Sequence, residues 1–267
     1  MTNIAMNDSA TAPVVLITAG AAGIGRVMAE AFIEQDYRVH VCDIDPAAID
    51  SFLQARPEVS ATQADISNVT QVEQVFDDLT NLYGRLDVLV NNAGIAGPTA
   101  PVENIGTDEW DQTIAVNLNG QFYCARRAVP MLKAAGRGSI INMSSNAAFF
   151  GCPLRAPYAA SKWALIGFTK TLAMELGPFG IRVNAICPSS VEGERIDAVI
   201  EKDAKRRGKT AEEIRDMYLR QSSLRCFVSA EDVANLALFL ASDKSARISG
   251  QALGLDGHTE SLANWLD

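Results

Sequence analysis

Short apolar runs rich in β-branched residues alternate along the chain with longer segments in which apolar residues recur every three or four positions. The runs are typical of buried strands, and the longer segments of amphipathic helices. Strands are predicted at Val14–Thr18, Arg38–Cys42, Ser60–Ala64, Leu86–Val90, Ser139–Met143, Ile181–Ile186 and Ala252–Leu255. Helices are predicted at Ile24–Ala31, Ala47–Ala55, Val69–Tyr83, Thr107–Val116, Gly120–Ala134, Tyr158–Leu176 and Ala230–Leu240. This alternation predicts the α/β class, with a doubly wound parallel sheet of about seven strands and helices on both faces.

The segment Val191–Cys226 departs from this alternation, because it carries a charged helical stretch between the last two predicted strands. It is either a pair of solvated helices or a lid over a substrate. Its clustered basic residues are expected to face solvent: Lys205, Arg206, Arg207 and Lys209. A length of 267 residues fits one large α/β domain, here residues 14–267, preceded by a loose tail at 1–13.

A glycine-rich turn joins the first strand to the first helix. Gly20, Gly23 and Gly25 lie in it, and glycines at such a turn let the backbone approach a pyrophosphate at the helix N-terminus. Asp43 follows the second strand, where a carboxylate accepts hydrogen bonds from the adenosine ribose and repels a 2′-phosphate. No Arg or Lys lies in Ile44–Asp50, so NAD is predicted in preference to NADP. The alternative role of Asp43 is to cap the next turn.

Tyr158 and Lys162 are four residues apart in a predicted helix, so their side chains share one face. A free phenol titrates near pH ~10, and a nearby ammonium favours its phenolate form. The pair can therefore supply a base near neutral pH. Ser145 ends the preceding β-rich run and can hydrogen-bond a substrate hydroxyl or carbonyl. The same spacing also occurs in helices that simply carry a surface Lys and a half-buried Tyr.

An Asn-Asn-Ala-Gly turn at residues 91–94 follows the fourth predicted strand. With this turn, the chain resembles the short-chain dehydrogenase/reductase family, in its short single-domain NAD-type branch. The resemblance runs from about Val14 to about Gly257. The matching pieces are TAGAAGIG (18–25), Asp43, ADIS (64–67), NNAG (91–94), VNLNG (116–120), NMSS (142–145), YAASK (158–162), RVNAICP (182–188) and GQALGLDG (250–257). The resemblance implies a Rossmann-type fold for the predicted sheet.

The resemblance also implies a role for each matching residue. Tyr158 is the expected acid/base, Lys162 lowers its pKa and holds the nicotinamide ribose, and Ser145 holds the reacting oxygen. Asn117 is expected to support a water that relays protons through Lys162. The residues expected to bind the cofactor are Thr18, Gly20, Gly23, Ile24, Gly25, Asp43, Asp65, Ile66, Asn92, Ala93, Gly94, Tyr158, Lys162, Pro188 and Val191.

Two positions depart from the family pattern. Ala19 stands where the family has Gly, and this change is expected to be tolerated if the Ala19 backbone lies in an ordinary region. After Pro188 the family continues Gly-x-Val-x-Thr, whereas this chain reads SSVEG (189–193). The Gly and the Thr that contacts the nicotinamide are therefore missing, and the backbone of Val191 is expected to bind the carboxamide.

The family places its variable substrate loop after the sixth strand, which favours a lid at Val191–Cys226. Arg155 lies three residues before the tyrosine and is a candidate to bind a carboxylate, sulfonate or phosphate. An ion pair with Glu192 or Glu194 is the alternative for this guanidinium, and Arg195 is a second anion-binding candidate. Together with Glu192, the two arginines define the predicted substrate region, and the predicted substrate is a small polar molecule, either anionic or sugar-like.

Composition excludes several other classes of function. The formal charge of −9 argues against nucleic acid or an anionic membrane as a partner. Five scattered cysteines without a Cys-x-x-Cys spacing indicate reduced thiols, so the protein is expected to be cytoplasmic. The two histidines, His40 and His258, lack metal-ligand spacing, and no Gly-x-Ser-x-Gly elbow is present. No metal site and no membrane span are predicted.

The sequence therefore predicts an NAD-dependent short-chain alcohol dehydrogenase that interconverts a secondary alcohol and a ketone by hydride transfer. The alternative within enzymes is an NADPH-type ketone or 3-oxoacyl reductase. A non-catalytic NAD-binding sensor or scaffold is the alternative from another class, although a sensor needs only the nucleotide site. The resemblance also implies a homotetramer, with the tail Ser261–Asp267 packed across a subunit boundary.

Overall fold

The central sheet contains seven parallel strands. The computed structural model describes residues 12–261. The strands are β1 (Val14–Thr18), β2 (Arg38–Asp43), β3 (Ser60–Gln63), β4 (Val88–Asn91), β5 (Gly138–Met143), β6 (Ile181–Pro188) and β7 (Ala252–Leu255). The helices are α1 (Gly23–Ile33), α2 (Pro46–Ala55), α3 (Val69–Tyr83), α4 (Thr107–Ile114), α5 (Gly120–Ala135), α6 (Ala156–Leu176), α7 (Glu194–Arg207), α8 (Ala211–Leu219) and α9 (Ala230–Ala241). The strand order is β3-β2-β1-β4-β5-β6-β7, and the predicted α/β class is confirmed.

Helices cover both faces of the sheet, so each strand is apolar on both sides. In β1, Val14 and Leu16 belong to the core beneath α3, α5 and α6. Val15 and Ile17 belong to the core beneath α1, α2 and α9. Because both faces are dry, the strand reads as a continuous apolar run and not as an alternating one.

The order of the strands reverses at β1, with β2 and β3 on one side and the remaining strands on the other. The connections that follow β1 and β4 therefore leave the sheet in opposite directions. Such a switch point opens a crevice at the carboxyl ends of parallel strands, and it is the usual place for a ligand in this kind of sheet.

The observed element boundaries differ from the predicted ones by a residue or two, and the difference is instructive at α4. The helix predicted at Thr107–Val116 ends at Ile114, and Ala115–Asn119 forms one wide π-helical turn before α5. A π turn adds a residue to the helical repeat and so rotates the residues around it. Asn117 is consequently turned inward, where it is fully buried.

The charged stretch of the 191–226 segment forms α7 and α8, which pack against each other. They share a small apolar core: Ile196, Ile200, Ala204, Ile214 and Phe227. Arg215 of α8 is bonded to Asp197 of α7. The clustered basic residues are exposed as predicted, and two of them, Arg206 and Arg207, bind the buried carboxylate of Asp203.

Within residues 12–261, none of the helices combines the length and the apolar content that a membrane span requires. Nor do three His, Cys, Asp or Glu side chains of that range converge as metal ligands. Residues 1–11 of the predicted tail and residues 262–267 of the predicted subunit contact lie outside the described part of the chain.

The turn after β1 requires a left-handed backbone at Ala19, whose φ is +50°. The condition under which alanine was expected to be tolerated here, an ordinary backbone region, is therefore not met. The chain is crowded here: a Cβ on Gly20 would lie 2.6 Å from Cγ1 of Val41, and one on Gly25 would lie 1.9 Å from the Ala19 carbonyl oxygen. These close approaches fix the path of the turn, and Ala19 adopts the conformation that glycine would adopt more easily.

Ala19→Gly is expected to raise the free energy of unfolding by about 0.5–1 kcal/mol. A left-handed L-residue costs about 1–2 kcal/mol, which exceeds the entropy that glycine adds to the unfolded chain. Urea unfolding measures the difference. The matched control is Ala31→Gly inside α1, where glycine has no strain to relieve and is expected to lower stability by about 0.5–1 kcal/mol. An equal loss in both variants would contradict strain at Ala19.

A buried polar network fastens β3 and α3 to β2. His40 is fully buried, and its Nδ1 and Nε2 lie 2.7 Å and 3.2 Å from the hydroxyls of Ser60 and Thr62. Ser60 is bonded in turn to the Tyr83 hydroxyl at 2.7 Å, and Thr62 donates to Asp78 at 2.7 Å. Burial lowers the pKa of His40 to about 4, because the charged imidazolium is disfavoured away from water.

His40 is expected to make the protein less stable as the pH falls from about 6.5 toward 4. In this window the unfolded chain binds a proton at His40, whereas the folded chain does not. The free energy of unfolding therefore falls by about 1.4 kcal/mol for each pH unit. Urea unfolding at several pH values tests this, and His40→Gln should flatten the dependence across the window. His258→Gln, which changes an exposed histidine outside this network, is the matched control for the substitution itself. An unchanged slope in His40→Gln would refute the assignment.

Candidate active site

Lys162 and Tyr158 lie on α6 beside the carboxyl end of β5. The Lys162 ammonium is buried, and its Nζ donates to the Met143 carbonyl oxygen at 2.8 Å. Nζ lies 5.6 Å from the centroid of the Tyr158 ring. The hydroxyl of Ser144 donates to the Lys162 carbonyl oxygen at 2.9 Å, which fastens α6 to the end of the strand. The structure thus brings the predicted pair together.

Opposing effects set the pKa of the Tyr158 phenol. Burial alone raises this pKa, because the phenolate is charged. The positive charges of Lys162 and Arg195 act against burial, as do a hydrogen bond with Ser145 and the charge of Arg155. The result is a phenol pKa below its ordinary value. Burial also lowers the pKa of Lys162, while Tyr158 raises it. Such a phenol can accept a proton from a bound hydroxyl group.

Ser145 lies in the turn that follows β5. Its Oγ accepts a hydrogen bond from the Ala147 N–H at 3.2 Å and donates to the Pro188 carbonyl oxygen at 3.5 Å. The hydroxyl lies close enough to Tyr158 to help lower the pKa of the phenol. Ser144 instead donates to the backbone of α6. The two neighbouring serines therefore have different partners, and Ser145 is the one that acts on the phenol.

Asn117 clamps the loop after β4 against α6. Its Oδ1 accepts from the Ile95 N–H at 2.8 Å, and its Nδ2 donates to the Ile95 carbonyl oxygen at 3.0 Å and to Ser161 Oγ at 3.2 Å. A Cβ on Gly94 would lie 3.2 Å from Asn117 Oδ1 and 3.4 Å from Lys162 Nζ. The Asn117 amide thus positions the backbone beside the ammonium.

A second clamp joins the ends of β1 and β4. Thr18 Oγ1 accepts hydrogen bonds from the N–H groups of Asn92 and Ala93, both at 2.9 Å. The Asn92 amide donates to the carbonyl oxygens of Thr18 and Ala19 at 3.0 Å and 3.1 Å. Thr18 is fully buried, and its hydroxyl holds the start of the loop after β4.

The N-terminus of α1 presents free N–H groups at the crevice. Gly23 is exposed, Ile24 is half-buried, and no side chain caps the first turn of the helix. Gly20 and Gly25 are buried, where their missing side chains permit the close packing of the turn. Uncapped N–H groups and the helix dipole favour an anion at this place.

Asp43 lies at the end of β2 and is held in two directions. Its Oδ2 accepts from the Ala21 N–H at 3.1 Å, and its Oδ1 accepts from the Asp45 N–H at 3.2 Å. The capping side chain of α2 is that of Asp45, whose carboxylate accepts from the Ala47 N–H. Asp43 therefore links the glycine turn to β2 and does more than cap the next helix.

Asp65 and Ile66 follow β3, next to Asp43, whose carbonyl oxygen accepts from the Ala64 N–H at 2.8 Å. Asp65 Oδ1 accepts from the backbone N–H and the hydroxyl of Ser67, at 2.8 Å and 2.7 Å. Ile66 is buried, and a Cβ on Gly120 would lie 2.4 Å from its Cδ1. Both residues stand on the side of the crevice where adenine is expected.

Val191 is supported by a short parallel bridge to Val228. The Val228 N–H donates to the Ser190 carbonyl oxygen at 3.0 Å, and the Glu192 N–H donates to the Val228 carbonyl oxygen at 2.8 Å. In such a bridge the N–H and C=O of Val191 itself point the other way. Within residues 12–261 these two groups form no hydrogen bond, so they remain available to an amide. Pro188 ends β6 beside Ser145.

Arg155 and Arg195 both act on the Tyr158 phenol, and Glu192 forms no ion pair with either of them within residues 12–261. The Arg155 guanidinium lies 4.7 Å above the Tyr158 ring centroid, and its Nη2 donates to the Ala96 carbonyl oxygen at 2.9 Å. The alternative ion pair of Arg155 with Glu192 or Glu194 is absent from the described residues. Arg195 is exposed in the first turn of α7, close enough to lower the pKa of Tyr158.

Sequence reasoning missed the groups that hold the site together. Ser161 donates to the Tyr158 carbonyl oxygen at 2.7 Å and accepts from Asn117, and its only signal was its position between the two catalytic side chains. Lys162 donates to the Met143 carbonyl oxygen, and Arg155 donates to the Ala96 carbonyl oxygen. Every residue has a backbone carbonyl, so residue types do not indicate which one accepts such a bond.

Comparisons with known proteins agree with this geometry. A family model described as enoyl-(acyl carrier protein) reductase matches residues 19–258. The chain is 37% identical over 248 residues to the 3-oxoacyl-[acyl-carrier-protein] reductase of Thermotoga maritima, covering 91% of this chain and 96% of the relative. It is 35% identical over 195 residues to the D-beta-hydroxybutyrate dehydrogenase of Rhizobium meliloti, covering 73% of this chain and 75% of the relative.

Solved structures show the same architecture. NAD⁺-bound xylitol dehydrogenase superimposes with a TM-score of 0.86 at 26% identity, covering 92% of this chain and 98% of that structure. A variant of actinorhodin polyketide ketoreductase with NADPH gives a TM-score of 0.89 at 29% identity, covering 93% and 97%. The sequence resemblance is confirmed, and the chain belongs to the short-chain dehydrogenase/reductase family of nicotinamide-dependent oxidoreductases.

Proposed function

We propose that the protein is an NAD-dependent oxidoreductase that interconverts a secondary alcohol and a ketone on a small polar substrate. The observation that carries this proposal is the buried Lys162 ammonium, 5.6 Å from the ring of a phenol whose pKa is lowered and whose neighbour is the Ser145 hydroxyl. A protein that only senses the nucleotide needs no such base, so the sensor or scaffold alternative is disfavoured.

In the oxidation direction, Ser145 and Tyr158 hold the substrate hydroxyl by hydrogen bonds. The Tyr158 phenolate takes the hydroxyl proton, and Lys162 stabilises that phenolate before the proton arrives. Bound NAD supplies the acceptor for the hydride that leaves the substrate carbon. In the reduction direction Tyr158 returns the proton to the carbonyl oxygen. The Asn117 clamp keeps Gly94 and Ile95 beside Lys162, where a proton relay to water is expected to pass.

The residues of the crevice fit a dinucleotide. The uncapped N-terminus of α1 suits the pyrophosphate, and the unpaired N–H and C=O of Val191 suit the carboxamide, even though the family Thr is missing. Asp43 stands at the end of β2, so a ribose 2′-phosphate would meet its carboxylate. This charge supports NAD over NADP.

A second candidate is the reduction of a 3-oxoacyl thioester. It is favoured by the similarity to the 3-oxoacyl-[acyl-carrier-protein] reductases of Thermotoga maritima and Staphylococcus epidermidis, the latter 34% identical over 257 residues. The two candidates share the catalytic groups and differ in cofactor and substrate. Assembly as a homotetramer stays a prediction, which light scattering of the purified protein tests.

Asp43→Asn is expected to lower the preference for NAD over NADP, measured as the ratio of kcat/KM values, by roughly tenfold or more. The amide still accepts from the Ala21 N–H, but it removes a charge facing the 2′-position, where like charges cost several kcal/mol. Asp50→Asn, an exposed carboxylate on α2, is the matched control and should leave the ratio unchanged. Equal use of NADP by the unmodified protein would favour the reductase candidate.

Tyr158→Phe is expected to reduce kcat at least about a hundredfold in both directions, because a positioned acid/base contributes ~10²–10⁴ to the rate. Cofactor affinity, followed by fluorescence of bound NADH, should change little, since the hydroxyl alone is lost. Tyr83→Phe removes a half-buried phenol that bonds Ser60 away from the crevice, and it should keep full activity. Retention of activity by Tyr158→Phe would contradict the proposed chemistry.

A further inference from the structure

Arg155 uses few of the hydrogen-bond donors that its guanidinium carries. The residue precedes α6, and its side chain folds over the Tyr158 ring, with the guanidinium carbon 4.7 Å from the ring centroid. Nη2 donates to the Ala96 carbonyl oxygen at 2.9 Å. Within residues 12–261, its Nε is shielded from solvent and has no hydrogen-bond partner. An arginine presents five N–H donors in a planar fork. The donors of Arg155 that do not bond to Ala96 can therefore bind a ligand.

A second guanidinium, in the 191–226 segment, lies within electrostatic range of the same phenol. Arg195 is exposed in the first turn of α7, and its charge acts on both Tyr158 and Lys162. In the described part of the chain it forms neither a hydrogen bond nor an ion pair. The adjacent carboxylate of Asp197 is already taken by Arg215 of α8.

The positive charge beside the phenol is therefore not compensated locally. Asp203, the buried carboxylate of α7, is bonded to Arg206 and Arg207. None of the groups that shift the pKa of Tyr158 is a carboxylate. The whole chain carries a formal charge of −9, so a cationic crevice runs against its average. A donor shielded from water, as the Arg155 Nε is, is normally paired with an acceptor, and the fork geometry of a guanidinium matches a carboxylate.

We propose that Arg155 and Arg195 form an anion-binding site beside the catalytic phenol, and that the substrate is a small hydroxy acid whose carboxylate they bind while Tyr158 and Ser145 hold its hydroxyl. The proposal rests on the proposed oxidoreductase function and adds the substrate class. Because the Arg155 guanidinium lies against the ring of the phenol, the carboxylate is only a short carbon chain away from the reacting carbon. A carrier-bound 3-oxoacyl thioester is uncharged at the corresponding place and would leave both arginines unpaired.

The test compares short hydroxycarboxylates, with the hydroxyl on the second, third or fourth carbon, with the methyl ester of each. Formation of NADH by the unmodified protein should favour at least one acid over its ester. Arg155→Gln should then raise KM for the acid roughly 10- to 100-fold, as expected for a charge-assisted hydrogen bond, and change KM for the ester little. Because Arg155 also helps to lower the pKa of Tyr158, the rising limb of kcat should shift to higher pH for both substrates. Arg195→Gln should act in the same direction, and Arg155→Lys should recover part of the affinity.

Arg56→Gln is the matched control, because it removes an arginine that pairs with Glu58 far from the phenol. This variant should leave KM unchanged for both the acid and the ester. KM and the pH dependence of kcat together distinguish two roles of Arg155: binding the substrate carboxylate, and lowering the pKa of the Tyr158 phenol. If Arg155→Gln moves the rising limb of kcat to higher pH but leaves KM unchanged for acid and ester alike, Arg155 only positions and tunes Tyr158, and the proposal is overturned. Turnover of esters but not of acids overturns the anion site and leaves the oxidoreductase function standing.

Direct binding decides the matter even if no member of the panel is oxidised. Butyrate and the neutral butyramide are titrated calorimetrically into the complex of the protein with NAD. Tighter binding of butyrate, weakened at least about tenfold in Arg155→Gln, supports the site. Equal binding of the two probes overturns it. Separate titration of NAD into the free protein shows whether the nucleotide site, and with it the proposed function, fails on its own.

Discussion

The burial of the Lys162 ammonium constrains the geometry of the whole catalytic end of the sheet. A charged amine removed from water needs acceptors close by, and the Met143 carbonyl oxygen supplies one at 2.8 Å. The ammonium also excludes side chains around it, since a Cβ on Gly94 would come within 3.4 Å of Nζ. These contacts hold three segments in fixed relative positions: the end of β5, the loop after β4 and the middle of α6. The position of the Tyr158 phenol is fixed with them.

The two sides of the crevice carry opposite charges. Asp43 and Asp45 make the end of β2 acidic. Across the switch point, Lys162, Arg155 and Arg195 surround the phenol with positive charge. A dinucleotide with a free ribose at one end and an anionic reactant at the other would match both sides at once. The proposed cofactor and the proposed substrate class thus follow from one charge distribution.

The predictable parts of the fold are those in which burial determines directly which residue types occur along a segment. Apolar runs such as Val14–Thr18 reveal strands because both faces of the sheet are covered. The spacing of Tyr158 and Lys162 reveals a shared helix face. The left-handed backbone of Ala19 was not predictable, since it results from the crowding of Gly20 against Val41 in a neighbouring strand.

Contacts between distant segments also could not be predicted from local sequence patterns. The π turn at Ala115–Asn119 depends on Asn117 reaching Ile95 and Ser161, which lie in two other parts of the chain. The partner of Arg155 proved to be the Ala96 carbonyl oxygen and not a glutamate of the 191–226 segment. Neither a helical repeat nor an acceptor carbonyl can be inferred from residue types alone.

The bridge between Val191 and Val228 makes the intervening segment an excursion that leaves the sheet and returns to it at one point. The excursion has an apolar core of its own, built on Ile200 and Ile214, so its packing depends little on the strands. Under the proposed function, its sequence would be free to change while Ser145, Tyr158 and Lys162 keep their places. Substrate choice would then evolve separately from the chemistry, and this segment would be the natural unit to exchange in order to alter the range of substrates.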